Sequence, residues 1–268
     1  GRVGAAVQAG AEGQGLAAAA VSAAGTPAAT SAADFPGPVH EVPVKGVRKL
    51  IAERMHASLQ NSAQYTMHAS ACAEAMLVYR NKLKRSAEQL GLRAITINDL
   101  INYSVTRLLL RYPAVNSHFV GDRSLQFERV HLAVAVDTPR GLMVPVIRDA
   151  DRKDMVELAA EVADKAERAR SRELALDEIR GGSCTLTNIG PLGGVFATPI
   201  INQPELAIIG LHAIKERPEV VNGEIAIRKM MYLSISFDHR YIDGAEAARF
   251  MSDMVHLVSE PMVLMARL

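Results

Sequence analysis

The sequence predicts an α+β protein, or a layered α/β one, in which helices flank a mixed β-sheet. Helical and strand-like patterns follow one another without a repeating strand–helix unit, so an all-parallel sheet is not expected. The composition agrees with this fold class: 49% of the 268 residues are hydrophobic and 22% are charged. These values are ordinary for a globular protein that buries a substantial core.

The first 36 residues differ from the rest of the chain. They consist mainly of Ala, Gly, Ser, Thr and Pro, as in GLAAAAVSAAGTPAATSAADFPGP. Such a segment cannot bury enough apolar surface to offset the entropy lost on ordering. We therefore expect residues 1–36 to be a flexible linker and residues 37–268 to be the folded domain. A signal peptide is the alternative, but its basic n-region and Leu-rich h-region are missing.

Three helices and a strand are predicted in the first half of the folded part. The first helix is amphipathic, with apolar residues at helical spacing: Val47, Leu50, Ile51 and Met55. The alternating stretch QYTMHASACA predicts a strand, and AEAMLVYRNKLKRSAEQLGLR predicts a second amphipathic helix that ends near Gly91. The third helix lies in ITINDLINYSVTRLLLRYPAV, where Thr96 or Asn98 is the N-cap and Pro113 ends the helix.

The second half of the folded part is richer in strands. Two strand-like stretches, LQFERVHLAVAVDTP and GLMVPVIRDA, are joined by a turn at 139–141. A charged, Ala-rich helix follows from Lys153 to about Arg172. Further strands are predicted in SCTLTNIG, ELAIIGLHAI and GEIAIRKMMYLSISFDH, and GAEAARFMSDMVHLVSE predicts the closing helix.

Charge and cysteine content narrow the functional classes. The formal net charge is +1, which gives no reason to expect binding to nucleic acid or to a membrane surface. No uninterrupted apolar run reaches the ~20 residues that span a bilayer. Cys72 and Cys184 do not form a CxxC pair, so a reducing compartment is favoured over a disulfide framework. We expect Cys184 to be a buried strand residue rather than a nucleophile.

The segment SISFDHRYIDGAEAARF, residues 234–250, concentrates titratable side chains where a predicted strand meets a predicted helix. Asp238, His239 and Arg240 follow alternating apolar residues, and Asp243-Gly244 precedes the helix. Histidine is the side chain whose unperturbed pKa best suits proton transfer near neutral pH. Residue types alone leave two interpretations open: a site at the sheet edge with His239 as its base, or a solvated turn in which His239 caps the local backbone.

The string DHRxxDG followed by an Ala-rich helix resembles the C-terminal signature of dihydrolipoamide acyltransferases, the E2 components of 2-oxo acid dehydrogenase complexes. It is more distantly similar to the HxxxD-G motif of chloramphenicol acetyltransferases and peptide-synthetase condensation domains. Other segments resemble the E2 family in the same order: VPVKGVRKLIAERM, AVAVDTPRGLMVPVIRDADRK, GGSCTLTNIGPLGG and TPIINQPELAIIGLHAIKERP. The resemblance covers roughly residues 41–268 and implies a chloramphenicol acetyltransferase-like fold that forms a homotrimer.

The resemblance also implies a role for each matching residue. His239 would be the general base that takes the proton from the thiol of coenzyme A or dihydrolipoamide. Thr187, at a position where many relatives carry serine, would donate a hydrogen bond to the oxyanion. Asp243 would support the histidine loop and pair with Arg80. The remaining motif residues would be structural: Asp238, Arg240 and Gly244.

The implied reaction moves an acyl group between dihydrolipoamide, carried on a separate lipoyl domain, and coenzyme A as substrate, without a metal. The implied partners are that lipoyl domain, the decarboxylase (E1) and dihydrolipoamide dehydrogenase (E3), around a large cubic core of trimers. The implied location is the cytoplasm of a bacterium, or the mitochondrial matrix of a eukaryote. A non-catalytic core protein and a free-standing acetyltransferase are the alternatives, and the acyl group stays open among acetyl, succinyl and branched-chain. A metal site built from His212, His239 and Asp238 is not supported by their spacing.

Overall fold

A computed structural model describes residues 37–91, 93–139 and 141–265, without the side chain of the last residue. The predicted linker, residues 1–36, lies outside the described residues. Residues 44–268 form one compact unit. No helix of the described part is long and apolar enough to cross a membrane.

Five α-helices lie within the described residues: α1 Gly46–Gln60, α2 Glu74–Leu90, α3 Ile97–Arg111, α4 Met155–Ser171 and α5 Gly244–Ser259. All five were predicted from the sequence. Thr96 is the N-cap of α3, because its hydroxyl accepts from the Asp99 amide while the Asp99 carboxylate accepts from the Thr96 amide. Gly91 ends α2 with φ +66°, a left-handed conformation that glycine adopts without strain.

The described strands form one large sheet and two small hairpins. The strands are β1 Gln64–Cys72, β2 Ser117–Val120, β3 Arg123–Gln126, β4 Leu132–Val134, β5 Val136–Thr138, β6 Gly141–Met143, β7 Val146–Ile147, β8 Cys184–Asn188, β9 Ala207–Val221 and β10 Glu224–Asp238. The large sheet has the order β1-β10-β9-β8-β4-β7, while β2-β3 and β5-β6 pair separately. β8 runs parallel to β4 and β9, and the other pairs of the large sheet are antiparallel. The predicted mixed sheet is therefore confirmed.

The two faces of the large sheet differ in chemistry. Side chains alternate along a strand, so one face carries Leu186, Ile209 and Ile235, which belong to the same core as buried residues of α3 and α5. The opposite face carries mostly small and polar residues, which lie in rows across the strands. One row is His68, Ser234, Gly210 and Thr187, and the next is Thr66, Ser236, Ile208 and Thr185. The polar face of the sheet therefore holds the predicted oxyanion donor, Thr187.

The apolar face of α1 is only partly buried within one chain: Ile51 and Met55 are half-buried. Val47 is 45% exposed and Leu50 is 47% exposed, and Ser58 is the one fully buried residue of this helix. Amphipathic helices gain most of their stability by packing the apolar face against another element. The predicted helix is thus present, but Val47 and Leu50 remain largely uncovered within the described residues of a single copy.

The β9–β10 hairpin is longer than the predicted strands. β9 continues through Pro218 to Val221, with Pro218 opposite Ile227 on β10. Proline is tolerated here because this outer part of β9 pairs with a strand on one side only. The outer half leaves apolar side chains largely in solvent: Val220, Ile225 and Ile227.

Candidate active site

His239 lies in the turn between the end of β10 and the start of α5. Its amide donates to the Ala63 carbonyl over 2.9 Å, which ties the turn to the segment before β1. The exposed imidazole meets the Tyr65 ring edge-on, with centroids 5.8 Å apart, and lies 5.6 Å from the Phe237 ring. Neither ring nitrogen has a hydrogen-bond partner among the described residues. The imidazole is therefore free to exchange a proton with a bound molecule.

The ion pair between Asp238 and Arg240 stabilises this turn. The Asp238 carboxylate is 2% exposed and accepts from Arg240 Nε at 3.0 Å and Nη2 at 2.6 Å, and from the Ala63 amide at 3.3 Å. Arg240 also stacks over the Phe119 ring at 4.7 Å. Burial by itself raises the pKa of Asp238, but the hydrogen bonds from Arg240 and Ala63 outweigh it, and the pKa is lowered. An ionised carboxylate with these partners suits a structural role better than that of a second base.

Asp243 and Gly244 form the start of α5. The Asp243 carbonyl accepts from the Glu246 and Ala247 amides, whereas its exposed side chain makes no capping bond. A Cβ added to Gly244 would stand 4.0 Å from His239 Nε2. The imidazole thus lies close to the first turn of the helix.

The structure does not bring Arg80 and Asp243 together. Arg80 Nη1 donates to Asn81 Oδ1 at 3.1 Å, and its buried Nε has no partner among the described residues. Asp243 is exposed, and neither side chain forms an ion pair with the described residues. The predicted pairing is therefore not formed within the described part of a single chain.

Thr187 lies on β8 and opens into a cavity of about 300 Å³. Its hydroxyl makes no hydrogen bond with the described residues, so it is available to a bound molecule. The cavity is lined mainly by apolar side chains, with a few polar groups among them: Thr185, Asn202 and His212. A mostly apolar cavity with few polar groups is typical of a small-molecule site.

One chain does not carry His239 and Thr187 at a common site. Thr187 is level with Gly210 on β9, and Gly210 is level with Ser234 on β10. His239 comes five residues after Ser234, which is roughly 16 Å of strand at ~3.3 Å per residue. The predicted base and the predicted oxyanion donor are therefore well separated within a single copy.

His212 is a residue of this cavity that sequence reasoning considered only as a metal ligand. It is 2% exposed, its Nε2 lies 3.1 Å from Ser234 Oγ, and its buried Nδ1 has no partner among the described residues. Burial lowers its pKa, and the nearby His68 lowers it further. No group of three or more His, Cys, Asp or Glu side chains suited to a metal ion occurs in the described part of the chain. His212 lies two residues after Gly210 on β9, and because side chains alternate along a strand, it shares the polar face with Gly210.

Glu205 is a second residue that the sequence pattern did not single out. It precedes β9, is 4% exposed, and accepts hydrogen bonds from Thr185 and Asn202. Burial raises its pKa to about 7, although hydrogen bonds from Thr185 and Asn202 oppose this. Cys184, the neighbour of Thr185, is fully buried, as predicted, and both cysteines are free.

Comparison with known proteins identifies the relatives of this chain. Residues 36–266 match the family described as 2-oxoacid dehydrogenases acyltransferase (catalytic domain). The succinyltransferase component of the 2-oxoglutarate dehydrogenase complex from Haemophilus influenzae is 37% identical over 225 residues, covering 82% of this chain and 54% of the relative. The acetyltransferase component of the pyruvate dehydrogenase complex from Staphylococcus aureus is 36% identical over 249 residues, covering 90% and 56%. The chain thus spans just over half the length of these curated relatives.

Solved structures show the same fold. The dihydrolipoamide acetyltransferase of Azotobacter vinelandii superposes with a TM-score of 0.80 at 37% identity, covering 85% of this chain and 95% of that one. Work on that structure concerned the catalytic role of a serine, a histidine 52 positions after it and an asparagine four positions after the histidine. The cubic core of the pyruvate dehydrogenase multienzyme complex also has a TM-score of 0.80, at 36% identity with the same coverage.

Proposed function

Because the chain belongs to the 2-oxoacid dehydrogenase acyltransferase family, we propose that it transfers an acyl group between dihydrolipoamide and coenzyme A. The reaction is acyl-dihydrolipoamide + CoA ⇌ dihydrolipoamide + acyl-CoA. The lipoyl group is carried on a separate lipoyl domain, and the reaction uses no metal. The location that the resemblance implies, bacterial cytoplasm or mitochondrial matrix, stays a prediction.

The observation that carries this proposal is the spacing of the two unpartnered site groups. Thr187 and His239 are 52 positions apart, as are the serine and histidine of the Azotobacter vinelandii enzyme. Asp243 comes four positions after His239, where that enzyme has its asparagine. Threonine keeps the hydroxyl donor of serine, and aspartate offers a carboxylate in place of an amide.

The chemistry follows from these groups. A thiol is mostly protonated at pH 7, whereas the thiolate is the attacking species. His239 takes the proton from the attacking thiol, and the thiolate adds to the thioester carbonyl to form a tetrahedral intermediate. The Thr187 hydroxyl donates to the resulting oxyanion. When the intermediate collapses, the second sulfur leaves and takes the proton back from His239.

The active site is built from two copies of the chain, with His239 from one copy and Thr187 from its neighbour. Roughly 16 Å of strand separates these groups within one chain. The uncovered apolar residues of α1, Val47 and Leu50, also need a partner surface, which a second copy would provide. We infer a homotrimer that assembles into a large cubic core, as in the pyruvate dehydrogenase core with the same fold.

The partners follow from the same proposal. The chain would receive acyl groups from a lipoyl domain loaded by a 2-oxo acid decarboxylase (E1), and dihydrolipoamide dehydrogenase (E3) would reoxidise the lipoyl group. Succinyl-transferring and acetyl-transferring relatives are almost equally similar, at 37% and 36% identity. The acyl group is therefore to be decided by experiment among acetyl, succinyl and branched-chain acyl groups.

The test is acyl transfer from a panel of acyl-CoAs to free dihydrolipoamide. Wild type is compared with His239→Ala and with His256→Ala, which alters an exposed histidine on α5 as a matched control. We expect activity with one class of acyl group, reduced by several orders of magnitude in His239→Ala and unchanged in His256→Ala. Inactive wild-type protein in intact large particles would instead indicate a non-catalytic core protein. An active lone trimer would indicate a free-standing acetyltransferase.

A further inference from the structure

One wall of the Thr187 cavity has no regular secondary structure. Residues of the segment 197–204 line the cavity, although no β-ladder holds this segment. Five side-chain hydrogen bonds hold it instead: His68 to the Ala197 carbonyl at 2.9 Å, Ser58 to the Ile201 carbonyl at 2.6 Å, the Ile201 amide to Gln64 at 3.1 Å, Gln203 to the Asn61 carbonyl at 3.4 Å, and Asn202 to Glu205 at 3.1 Å. Of these five, only the last uses a carboxyl group.

The Glu205 carboxyl group connects this wall to strand β8. Its Oε2 accepts from Thr185 Oγ1 at 2.6 Å, and its Oε1 accepts from Asn202 Nδ2 at 3.1 Å. Both donors line the Thr187 cavity, and Thr185 is two residues before Thr187 on the same strand face. A Cβ added to Gly182 would stand 2.9 Å from Glu205 Oε1, so the carboxyl group is closely packed on that side as well. Glu205 is thus in a position to set the relative placement of β8 and the irregular wall.

No cation pairs with this buried carboxyl group among the described residues. His118 on β2 bonds to the Gly182 carbonyl at 2.6 Å, and burial lowers its pKa, which favours the neutral ring. Two arginines line the same cavity as Glu205, Arg54 of α1 and Arg180, and both are exposed. The nearby thiol of Cys184 is buried, and Lys165 donates to the Val146 carbonyl. A buried carboxylate whose hydrogen-bond donors, from Thr185 and Asn202, are all neutral is costly, which agrees with the pKa of about 7.

We propose that Glu205 is a positioning residue for acyl transfer: as a carboxylate it fixes Thr185 and Asn202 around the Thr187 cavity, and as a carboxylic acid it loses part of this hold. The physical reason is the change in hydrogen-bonding capacity. A carboxylate accepts from both donors, whereas a carboxylic acid must donate through one of its oxygens. A proton on Oε2 makes that oxygen the donor to Thr185 Oγ1, whereas a proton on Oε1 opposes the donor of Asn202. This inference rests on the proposed role of Thr187 in the reaction.

The test is the pH dependence of kcat and KM for wild type, Glu205→Gln and Glu88→Gln. Glutamine has one acceptor oxygen and one donor nitrogen, so it resembles the protonated acid at every pH. Glu88→Gln removes an exposed carboxylate on α2 and serves as the control. We expect one ionisation on the acid side of the pH profile of kcat to be absent in Glu205→Gln. On the alkaline side we expect its kcat to be roughly tenfold lower than that of wild type, because small displacements near reacting groups are costly. A Glu205→Gln profile identical to that of wild type would overturn the inference.

A second pair of variants decides the matter if Glu205→Gln does not assemble. Thr185→Val removes the hydroxyl that Glu205 binds at nearly constant size, whereas Thr185→Ser keeps it. We expect kcat to fall roughly tenfold in the valine variant and to be retained in the serine variant. Equal rates in both would refute the positioning role. Retained activity in His239→Ala would instead show that the proposed function fails, so the two failures are distinguishable.

Discussion

Replacing Glu205 by glutamine should make the folded protein more stable at alkaline pH, although the change removes a hydrogen-bonded carboxylate. The wild-type side chain is 4% exposed and has no cationic partner among the described residues. Its ionised form therefore pays a desolvation cost that the two neutral donors, Thr185 and Asn202, offset only in part. Glutamine has nearly the same shape and does not ionise.

The sign and size of this stability difference follow from the pKa of Glu205. Burial raises the pKa of Glu205 from 4.5 to about 7, so the folded state binds the proton more tightly than the unfolded state. The stabilisation from this proton is fully present below about pH 4.5 and is lost as the pH rises to about 7. The difference corresponds to about 3 kcal/mol. Glutamine does not ionise, so Glu205→Gln does not lose this stability. Its free energy of unfolding should therefore exceed that of wild type by up to this amount above neutral pH.

The assay is urea denaturation at a series of pH values and at one protein concentration, because assembly makes stability depend on concentration. Below about pH 5 both proteins carry a neutral group, and we expect them to differ by less than about 1 kcal/mol. Glu88→Gln should follow wild type throughout. A difference between Glu205→Gln and wild type that stays constant with pH would refute the reasoning that Glu205 is ionised in a buried, unpaired state.

Four further predictions concern the turn, the cavity and the assembly. Thr187→Val should lower kcat by ~10²–10³, whereas Thr187→Ser should retain it, in steady-state acyl transfer. Asp238→Asn removes the charge that Arg240 binds twice, and we expect the free energy of unfolding to fall by about 2 kcal/mol in urea denaturation, because the exposed Arg240 regains water. Since the pKa of Asp238 is lowered in the folded state, this contribution is present near neutral pH and is lost as the pH falls, so the two proteins should converge in acid. Asp243→Asn, which matches the Azotobacter vinelandii asparagine, should keep its activity within about tenfold of wild type in the same kinetic assay. Leu50→Glu should give smaller particles in sedimentation, because the exposed face of α1 would no longer suit an apolar partner surface.

Local patterns in the sequence predict the elements well because short-range physics decides them. The Thr96–Asp99 capping box starts α3, and Gly91 ends α2 through a left-handed residue. The motif around His239 lies, as predicted, at a strand end followed by a helix start. For the two helix ends the deciding interactions join residues only a few positions apart, whereas the His239 turn is also held by the distant Ala63.

Long-range pairing decides what the sequence does not predict. The separation of Thr187 from His239 depends on the register of β8, β9 and β10, which no local pattern encodes. Glu205 acquires its unusual environment from Gly182 and Thr185, which are about twenty residues away in the chain. The predicted Arg80–Asp243 pair depends on how α2 lies relative to the start of α5, which is also a long-range arrangement.

The distance between Thr187 and His239 along the sheet has a consequence for damaged copies. In the proposed trimer each chain contributes a histidine to one site and a threonine to another. A chain that loses only its imidazole inactivates a single site, whereas a chain whose whole sheet is distorted inactivates two. Two intact chains beside such a distorted copy would retain one working site between them. A mutation that disrupts the fold would therefore inactivate more sites in a mixed trimer than a mutation that removes only the imidazole.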